Sequence, residues 1–316
     1  MMSETVVDVL RIVVGLVLLL GGGEFLVRGA VGIAHRIGLS DLVIGLTVVG
    51  FGTSMPELLV SLKAALNGQS AIAIGNVVGS NIANILLIVA IAAVIYPMSG
   101  WNRAVRRDAL IMIAASLVLA ALAFSGALPR WAGLVLFALL IGYLAYAYFD
   151  DRAATPDADA ETAHPQGALA RAIGFVVLGL GALFFGADQL VIGATAIARD
   201  FGVSEAAIGL TIVAVGTSLP ELATSVIAAV RGRSDLALGN VVGSNIFNIL
   251  GILGLTAMIQ PMVIDPQFIQ LDIPVMVAVA VAFTALLVFA HKIGRTVGLA
   301  LLAAYVLYVW TLFAGV

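Results

Sequence analysis

The 316-residue chain has no cysteine, which excludes disulfides, thiolate metal ligation and thiol nucleophiles in one step. Charge is scarce as well: Asp, Glu, Lys and Arg make up 10% of residues against 62% hydrophobic. The mean hydropathy of +1.16 lies outside the range of a soluble globular domain and describes an integral membrane protein. Histidine occurs three times, as His35, His164 and His291, each in a predicted loop. The net charge of -3 says little about partners, because nearly all charges sit between the apolar runs; no nucleic acid is expected, and the bilayer is the main partner this composition implies.

Long apolar runs, by contrast, are abundant. Ten segments of a length to span a bilayer as helices lie near 5–27, 42–66, 71–96, 108–126, 129–149, 169–191, 206–230, 235–260, 272–290 and 296–315. The first carries Glu4 and Asp8 where a secretory signal would be basic and has no small-residue cleavage site after it, so it reads as a retained helix. The expected fold is therefore an all-α, multi-pass membrane protein of ten helices. If these alternate across the membrane, Arg28, Arg36, Arg103, Arg106, Arg107, Arg152, Arg171, Arg231, Arg233, Lys292 and Arg295 fall on one side. Only Arg11, Lys63, Arg130 and Arg199 fall on the other. The positive-inside rule then makes the first side cytoplasmic and puts both termini outside the cell membrane.

The chain is also duplicated. Residues 45–88 align with 209–252 at a constant offset and without a gap, and most positions are identical. The register extends into the first helix of each half, where Glu24 matches Asp188 and Gly29 and Ala30 match Gly193 and Ala194. Residues 1–149 and 169–316 thus form two five-helix repeats. Because five is odd, the second must enter the membrane from the opposite side, an inverted repeat of the kind that builds one central site with two ways of opening. Between them, 150–168 is polar and rich in Ala, Asp and Pro, and reads as a flexible cytoplasmic linker. Its Asp157, Asp159 and Glu161 lack the glycine turn and ligand spacing of a calcium loop.

The polar residues inside the apolar runs carry the chemistry. Gly50, Thr53, Ser54, Glu57 and Ser61 share one helix face, and Ala214, Thr217, Ser218, Glu221 and Ser225 repeat it. Both glutamates fall near mid-span, where a carboxylate costs roughly 2.5 to 3.5 kcal/mol on insertion scales and marks a functional site by default. The preceding prolines, Pro56 and Pro220, are expected to bend the helices and free the carbonyls of Gly52 and Gly216. A second repeated motif, GNVVGSNIANIL at 75–86 and GNVVGSNIFNIL at 239–250, places Ser80 with Asn84 and Ser244 with Asn248, each pair on one face, with Asn76 and Asn240 a turn earlier. Gly75 and Gly79 suit close helix packing. No Lys, Arg or His stands within these four helix cores; Lys63 is roughly 9 Å along the axis from Glu57 at the helical rise. The donors are all oxygens, a set that suits Na+, Ca2+ or Mg2+ rather than zinc or copper. Ca2+ would balance the two glutamates, and several Na+ sharing those ligands could do so in its place. Competition for one ligand set is the physical requirement for exchange.

The paired motifs GTSMPEL with GNVVGSNIANIL, and GTSLPEL with GNVVGSNIFNIL, resemble the two alpha-repeats of the sodium/calcium exchanger family, and in particular its compact prokaryotic members. The resemblance implies a secondary antiporter, not an enzyme, with Na+ and Ca2+ as substrates, no cofactor and no obligate protein partner. It implies a central calcium site of Glu57, Glu221, Thr53 and Thr217. Sodium would use these together with Ser54, Ser80, Ser218, Ser244 and the carbonyls of Gly50 and Ala214, with Asn84 and Asn248 near the middle. Some members carry Asp at the position of Asn84 or Asn248; the amides here argue against potassium co-transport. The first and sixth helices, rich in glycine (Gly21, Gly22, Gly23; Gly179, Gly181, Gly186), are candidates for a sliding element.

Three other readings of these residues stand beside that one. A proton-coupled calcium antiporter of the same fold would use Glu57 and Glu221 as proton carriers. A membrane enzyme acting on lipid phosphate would need a basic clamp or a histidine beside the acid, and neither motif has one. A passive cation channel would need no counter-ion. If the glutamates are the shared ligands, protons compete with cations for them, so exchange measured in vesicles should weaken as the medium is acidified. A rate that stays flat through the acidic range would remove the glutamates from the site.

Overall fold

A computed structural model describes residues 2–37, 41–99, 103–154, 168–200, 214–290 and 292–314. They form helix after helix: α1 (Met2–Ile37), α2 (41–66), α3 (Ser70–Ile95), α4 (Arg103–Ala123), α5 (Arg130–Ala154), α6 (Ala168–Asp200), α7 (214–230), α8 (Ser234–Ile259), α9 (Phe268–Phe289) and α10 (Arg295–Ala314). Among the described residues, α1, α3, α5, α6, α8 and α9 are long and apolar enough to cross a membrane, and α2 makes a seventh if its two bent segments count as one span. In α4, Arg103, Arg106, Arg107 and Asp108 crowd the first turns. The described parts of α7 and α10 are apolar but shorter.

Burial sorts these helices into layers. In their most apolar stretches, 72% of α3 and 83% of α8 is buried inside the protein, against 28% for both α1 and α6. The motif helices α3 and α8 are therefore the centre, while α1 and α6 lie outside with one flank open to lipid. Tight turns at Gly68 and Gly232, whose φ values of 75° and 71° favour glycine, link α2 to α3 and α7 to α8. Two short antiparallel ladders join the halves. β1 (Met98–Ser99) pairs with β4 (Lys292–Ile293), and β2 (Ala127–Leu128) pairs with β3 (Met262–Val263). Each ladder ties a connection of one repeat to a connection of the other.

The pairing of α1 with α6 follows from glycine spacing. Gly15, Gly22 and Gly29 recur every seven residues, as do Gly179, Gly186 and Gly193, so each set forms a line along one face. Gly15 lies against Gly186, Gly22 against Gly179, Gly29 against Ala172 and Gly193 against Asp8. Rising numbers in one helix meet falling numbers in the other, so these two equivalent helices run antiparallel. A Cβ on Gly22 would sit 2.9 Å from the Gly179 carbonyl oxygen, and one on Gly193 would sit 2.6 Å from that of Asp8. Only glycine permits such backbone contact, which gains dispersion energy where lipid supplies no hydrophobic drive. The remaining glycines of the expected cluster divide: Gly21 and Gly181 have no neighbour within 4 Å, and Gly23 faces the Ala223 carbonyl of α7.

Several boundaries differ from those read in the sequence. Helix α1 runs on through Arg28, His35 and Arg36, residues expected in a loop. Its 36 residues span about 54 Å at 1.5 Å per residue, well beyond the hydrocarbon core. The apolar period fades where α1 leaves the bilayer, but its backbone hydrogen bonds do not stop there. Likewise α5 continues through 150–154, the expected start of the linker. The rest of that segment, 155–167, with Asp157, Asp159, Glu161 and His164, lies outside the described residues, as do His291 and 206–213 of the seventh apolar run.

The glycine seam generates a graded test. Gly179→Leu places side-chain atoms into the backbone of α1, and overpacking of this kind costs about 1 to 3 kcal/mol. The thermal midpoint of the detergent-solubilised protein should fall for Gly22→Leu and Gly179→Leu, and stay unchanged for Gly181→Ala.

Candidate functional site

Helix α2 is broken at Ser54 (φ -83°, ψ 6°) and α7 at Ser218 (φ -91°, ψ 6°); the two parts of α2 meet at 49°. The prolines do not kink continuous helices, as the sequence suggested. Pro56 and Pro220 are the second residues of new segments, Met55–Leu66 and Leu219–Val230, where a missing N–H removes no helical hydrogen bond. The break itself falls two residues earlier, at the serines. This places Glu57 and Glu221 in the first turn of a 12-residue helix, where free backbone N–H groups and the helix dipole favour negative charge. The local fold supplies part of the compensation that no basic side chain provides.

The two halves then complete each other. Ser54 Oγ donates to Glu221 Oε1 at 3.1 Å, and Ser218 Oγ donates to Glu57 Oε1 at 3.3 Å. Thr53 Oγ1 donates to the Val49 carbonyl at 3.0 Å and reaches Asn240 Oδ1 of the opposite repeat at 3.3 Å, and the two carboxylates are close enough to interact. Ser218 Oγ also meets Ser80 Oγ at 3.5 Å, and Ser244 Oγ donates to the Gly50 carbonyl at 3.4 Å. That carbonyl also accepts from the Ser54 N–H at 3.1 Å, so it is a shared acceptor, and the Gly52 carbonyl, expected to be freed by Pro56, also accepts a backbone N–H at the break. Ala214 opens the described part of α7.

Asn76 and Asn240 have a different task from the one their helix face suggested. Asn76 Nδ2 donates to the Glu57 carbonyl at 3.1 Å and to Ser61 Oγ at 2.9 Å. Asn240 Nδ2 repeats this with the Glu221 carbonyl at 3.3 Å and Ser225 Oγ at 2.9 Å. These amides clamp each glutamate's helix to the motif helix beside it. Asn84 and Asn248 sit where α3 and α8 widen into π-helical turns, Asn84–Val89 and Phe247–Leu253, a distortion frequent at functional sites. Each donates to an asparagine that the sequence reading did not single out: Asn84 Nδ2 to Asn245 Oδ1 at 2.9 Å, and Asn248 Nδ2 to Asn81 Oδ1 at 3.2 Å. The signal was present in the repeated GSN of both motifs, but an asparagine beside a serine in an apolar helix reads first as a packing contact.

What remains is a set of acceptors without donors. Glu57 and Glu221 are each 1% exposed, and neither forms a salt bridge among the described residues. Glu57 Oε2, Glu221 Oε2, Asn84 Oδ1 and Asn248 Oδ1 are buried and receive no hydrogen bond there. They come in equivalent pairs, one of each pair from each repeat. Buried polar atoms are satisfied almost everywhere in proteins, so four symmetric exceptions, all oxygens, define an environment in want of positive charge. Among the described residues no group of three or more His, Cys, Asp or Glu occurs, and the character of the site is that of two carboxylates among neutral oxygens.

The family model for sodium/calcium exchanger proteins matches this chain twice, over residues 7–149 and 171–314. The chain belongs to the sodium/calcium exchanger family. Over 96% of its length it is 37% identical to the inner membrane protein YrbG of Escherichia coli strain K12, covering 95% of that protein. It is 35% identical over 97% of its length to the sodium/calcium exchanger MaX1 of Methanosarcina acetivorans, covering 99% of it. Among solved structures, the sodium-calcium exchanger NCX_Mj soaked with 10 mM Na+ and no Ca2+ superposes with a TM-score of 0.87 at 31% identity, covering 98% of this chain and 99% of that one. This exchanger-family chain is thus of the compact prokaryotic type along its whole described length.

The crossed serines predict matched losses. A hydrogen bond to a charged group is worth about 1.5 to 3 kcal/mol. Ser54→Ala and Ser218→Ala should therefore each lower the thermal midpoint of the detergent-solubilised protein, by an amount that matches a loss of this size. A loss confined to one of the two would show that the reciprocal geometry is not used.

Proposed function

We propose that the protein is a secondary antiporter exchanging Na+ for Ca2+ by alternating access at Glu57 and Glu221. The supporting observation is the paired set of buried oxygens, two carboxylates and two amides, that have neither a donor nor, for the glutamates, a basic partner among the described residues. Two carboxylates balance one Ca2+, and Thr53 and Thr217 complete its oxygen shell. Na+ uses the same carboxylates together with Ser54, Ser80, Ser218, Ser244 and the Gly50 and Ala214 carbonyls, with Asn84 and Asn248 between the subsites. The two cations exclude each other because they need the same ligands, and that exclusion couples their fluxes.

In this reading the ten helices form two inverted five-helix repeats in the cell membrane, with both termini outside and the 150–168 linker cytoplasmic. The antiparallel course of the equivalent helices α1 and α6 supports it. Locked together along their glycine seam, those two helices move as one body across the remaining bundle, opening the site to one side and then the other. Phosphate chemistry is disfavoured by the lack of any basic group bound to either glutamate among the described residues. The exchanger MaX1 and the NCX_Mj structures, by their names, handle sodium and calcium, which weighs the coupling ion toward Na+.

The decisive measurement is radioactive Ca2+ uptake into proteoliposomes loaded with Na+ and diluted into Na+-free buffer. Matched vesicles loaded with K+ and carrying an imposed pH gradient run beside them. Uptake should require internal Na+; uptake driven by the pH gradient alone would recast the same glutamates as proton carriers. Glu57→Gln and Glu221→Gln should each abolish uptake while the protein remains monodisperse, and a variant with full exchange would sink the assignment.

A further inference from the structure

Asn84 and Asn248 can serve a cation only with their oxygens toward it. An amide has two ends of similar size, one a donor and one an acceptor, and a flipped amide would present N–H groups to a positive ion. Some other contact must choose the end. The hydrogen bonds around Asn81 and Asn245 make that choice from a fixed starting point. Asn245 Nδ2 donates to the backbone carbonyl of Asn81 at 3.3 Å and lies 3.4 Å from Met112 Sδ. Both partners can only accept, so the Asn245 amide has one satisfied orientation, with Oδ1 on its other side. That Oδ1 receives Asn84 Nδ2 at 2.9 Å, which leaves Asn84 Oδ1 as the end without a donor among the described residues.

The other half repeats the pattern with a sulfur contact alone as its anchor. Asn81 Nδ2 lies 3.5 Å from Met276 Sδ, Asn81 Oδ1 receives Asn248 Nδ2 at 3.2 Å, and Asn248 Oδ1 is left over. Met112 and Met276 occupy equivalent positions of α4 and α9, just as Asn81 and Asn245 occupy equivalent positions of α3 and α8. All four residues are at most 2% exposed, so water does not compete for these donors. Every rung but the sulfur contacts of Asn81 and Asn245 passes between α3 and α8, and hence between the repeats.

We infer that Asn81 and Asn245 are positioning residues, whose crossed amide ladder turns the oxygens of Asn84 and Asn248 toward the transported cation and makes the middle of the site acceptor-only. The inference rests on the cation site proposed above. It assigns the ladder, anchored on a backbone carbonyl and two thioether sulfurs, to the selection of amide orientation rather than to packing alone. Outer partners that orient a ligand commonly change metal affinity about 10- to 100-fold when removed.

The test is Ca2+ titration calorimetry on four purified full-length proteins: unmodified, Asn245→Leu, Asn84→Asp and the double variant. Leucine matches asparagine in shape but cannot accept from Asn84, so its amide is free to flip. Asn245→Leu should bind Ca2+ about tenfold more weakly. A carboxylate at 84 has no donor end to misdirect, so Asn245→Leu should cause no loss in the Asn84→Asp background. An equal loss in both backgrounds, or no loss in the first, overturns the positioning role while leaving the cation site standing. If the unmodified protein takes up no Ca2+, the site reading fails and this inference fails with it.

Discussion

Two buried carboxylates, without a basic partner among the described residues, are the constraint around which the molecule is arranged. A charge in an apolar interior is tolerable only if something nearby compensates it, and here the compensation is divided. The fresh N-termini at Met55 and Leu219 bring helix dipoles to bear on Glu57 and Glu221, and a serine hydroxyl arrives from the opposite half. What these leave uncovered, one oxygen on each carboxylate, is the part a cation can claim. Full internal compensation would make a stable protein with no reason to bind ions.

Other features of the fold follow from keeping that polar layer dry and in register. The motif helices α3 and α8, the most buried of the six long spans, carry the amides that hold the glutamate helices in place. The clamps Asn76 and Asn240 hold each glutamate helix to its neighbour through a backbone carbonyl, which leaves the carboxylate uncommitted. The strand ladders tie connections of the two halves together. Around this frame, α1 and α6 touch through bare backbone along a line of glycines, a contact that demands close fit but no directional bond.

Much of this was legible in the sequence because duplication removes ambiguity. One glutamate in an apolar run could be an accident; Glu57 and Glu221 in copied words, with Ser54 and Ser218 in register, could not. The mostly helical fold, with several helices apolar enough to cross a membrane, followed from composition and helical period. What sequence reasoning missed was three-dimensional in origin. The prolines signalled a distortion, but whether Pro56 kinks a helix or begins one depends on the conformation of Ser54. Asn76 and Asn84 have the same residue type on the same face, yet one bonds a backbone carbonyl and the other keeps an oxygen free. Asn81 stayed unread because its role depends on Asn248 and Met276, far away in the chain. Extension of α1 past Arg28 was hidden because hydropathy reports where the bilayer ends, not where a helix does.

The crossing of the hydrogen bonds has a consequence for how such a protein can come into existence. Each carboxylate takes its serine, and each central amide its acceptor, from the other repeat. A single five-helix unit would therefore own half of these oxygens and keep its own clamp, but lack the serine and the amide acceptor that the other half supplies. If the halves are inverted as proposed, two copies inserted in opposite senses close one cage between them, and an ancestor made of one such unit would have worked as a dimer of mixed orientation before fusion fixed the pairing in a single chain.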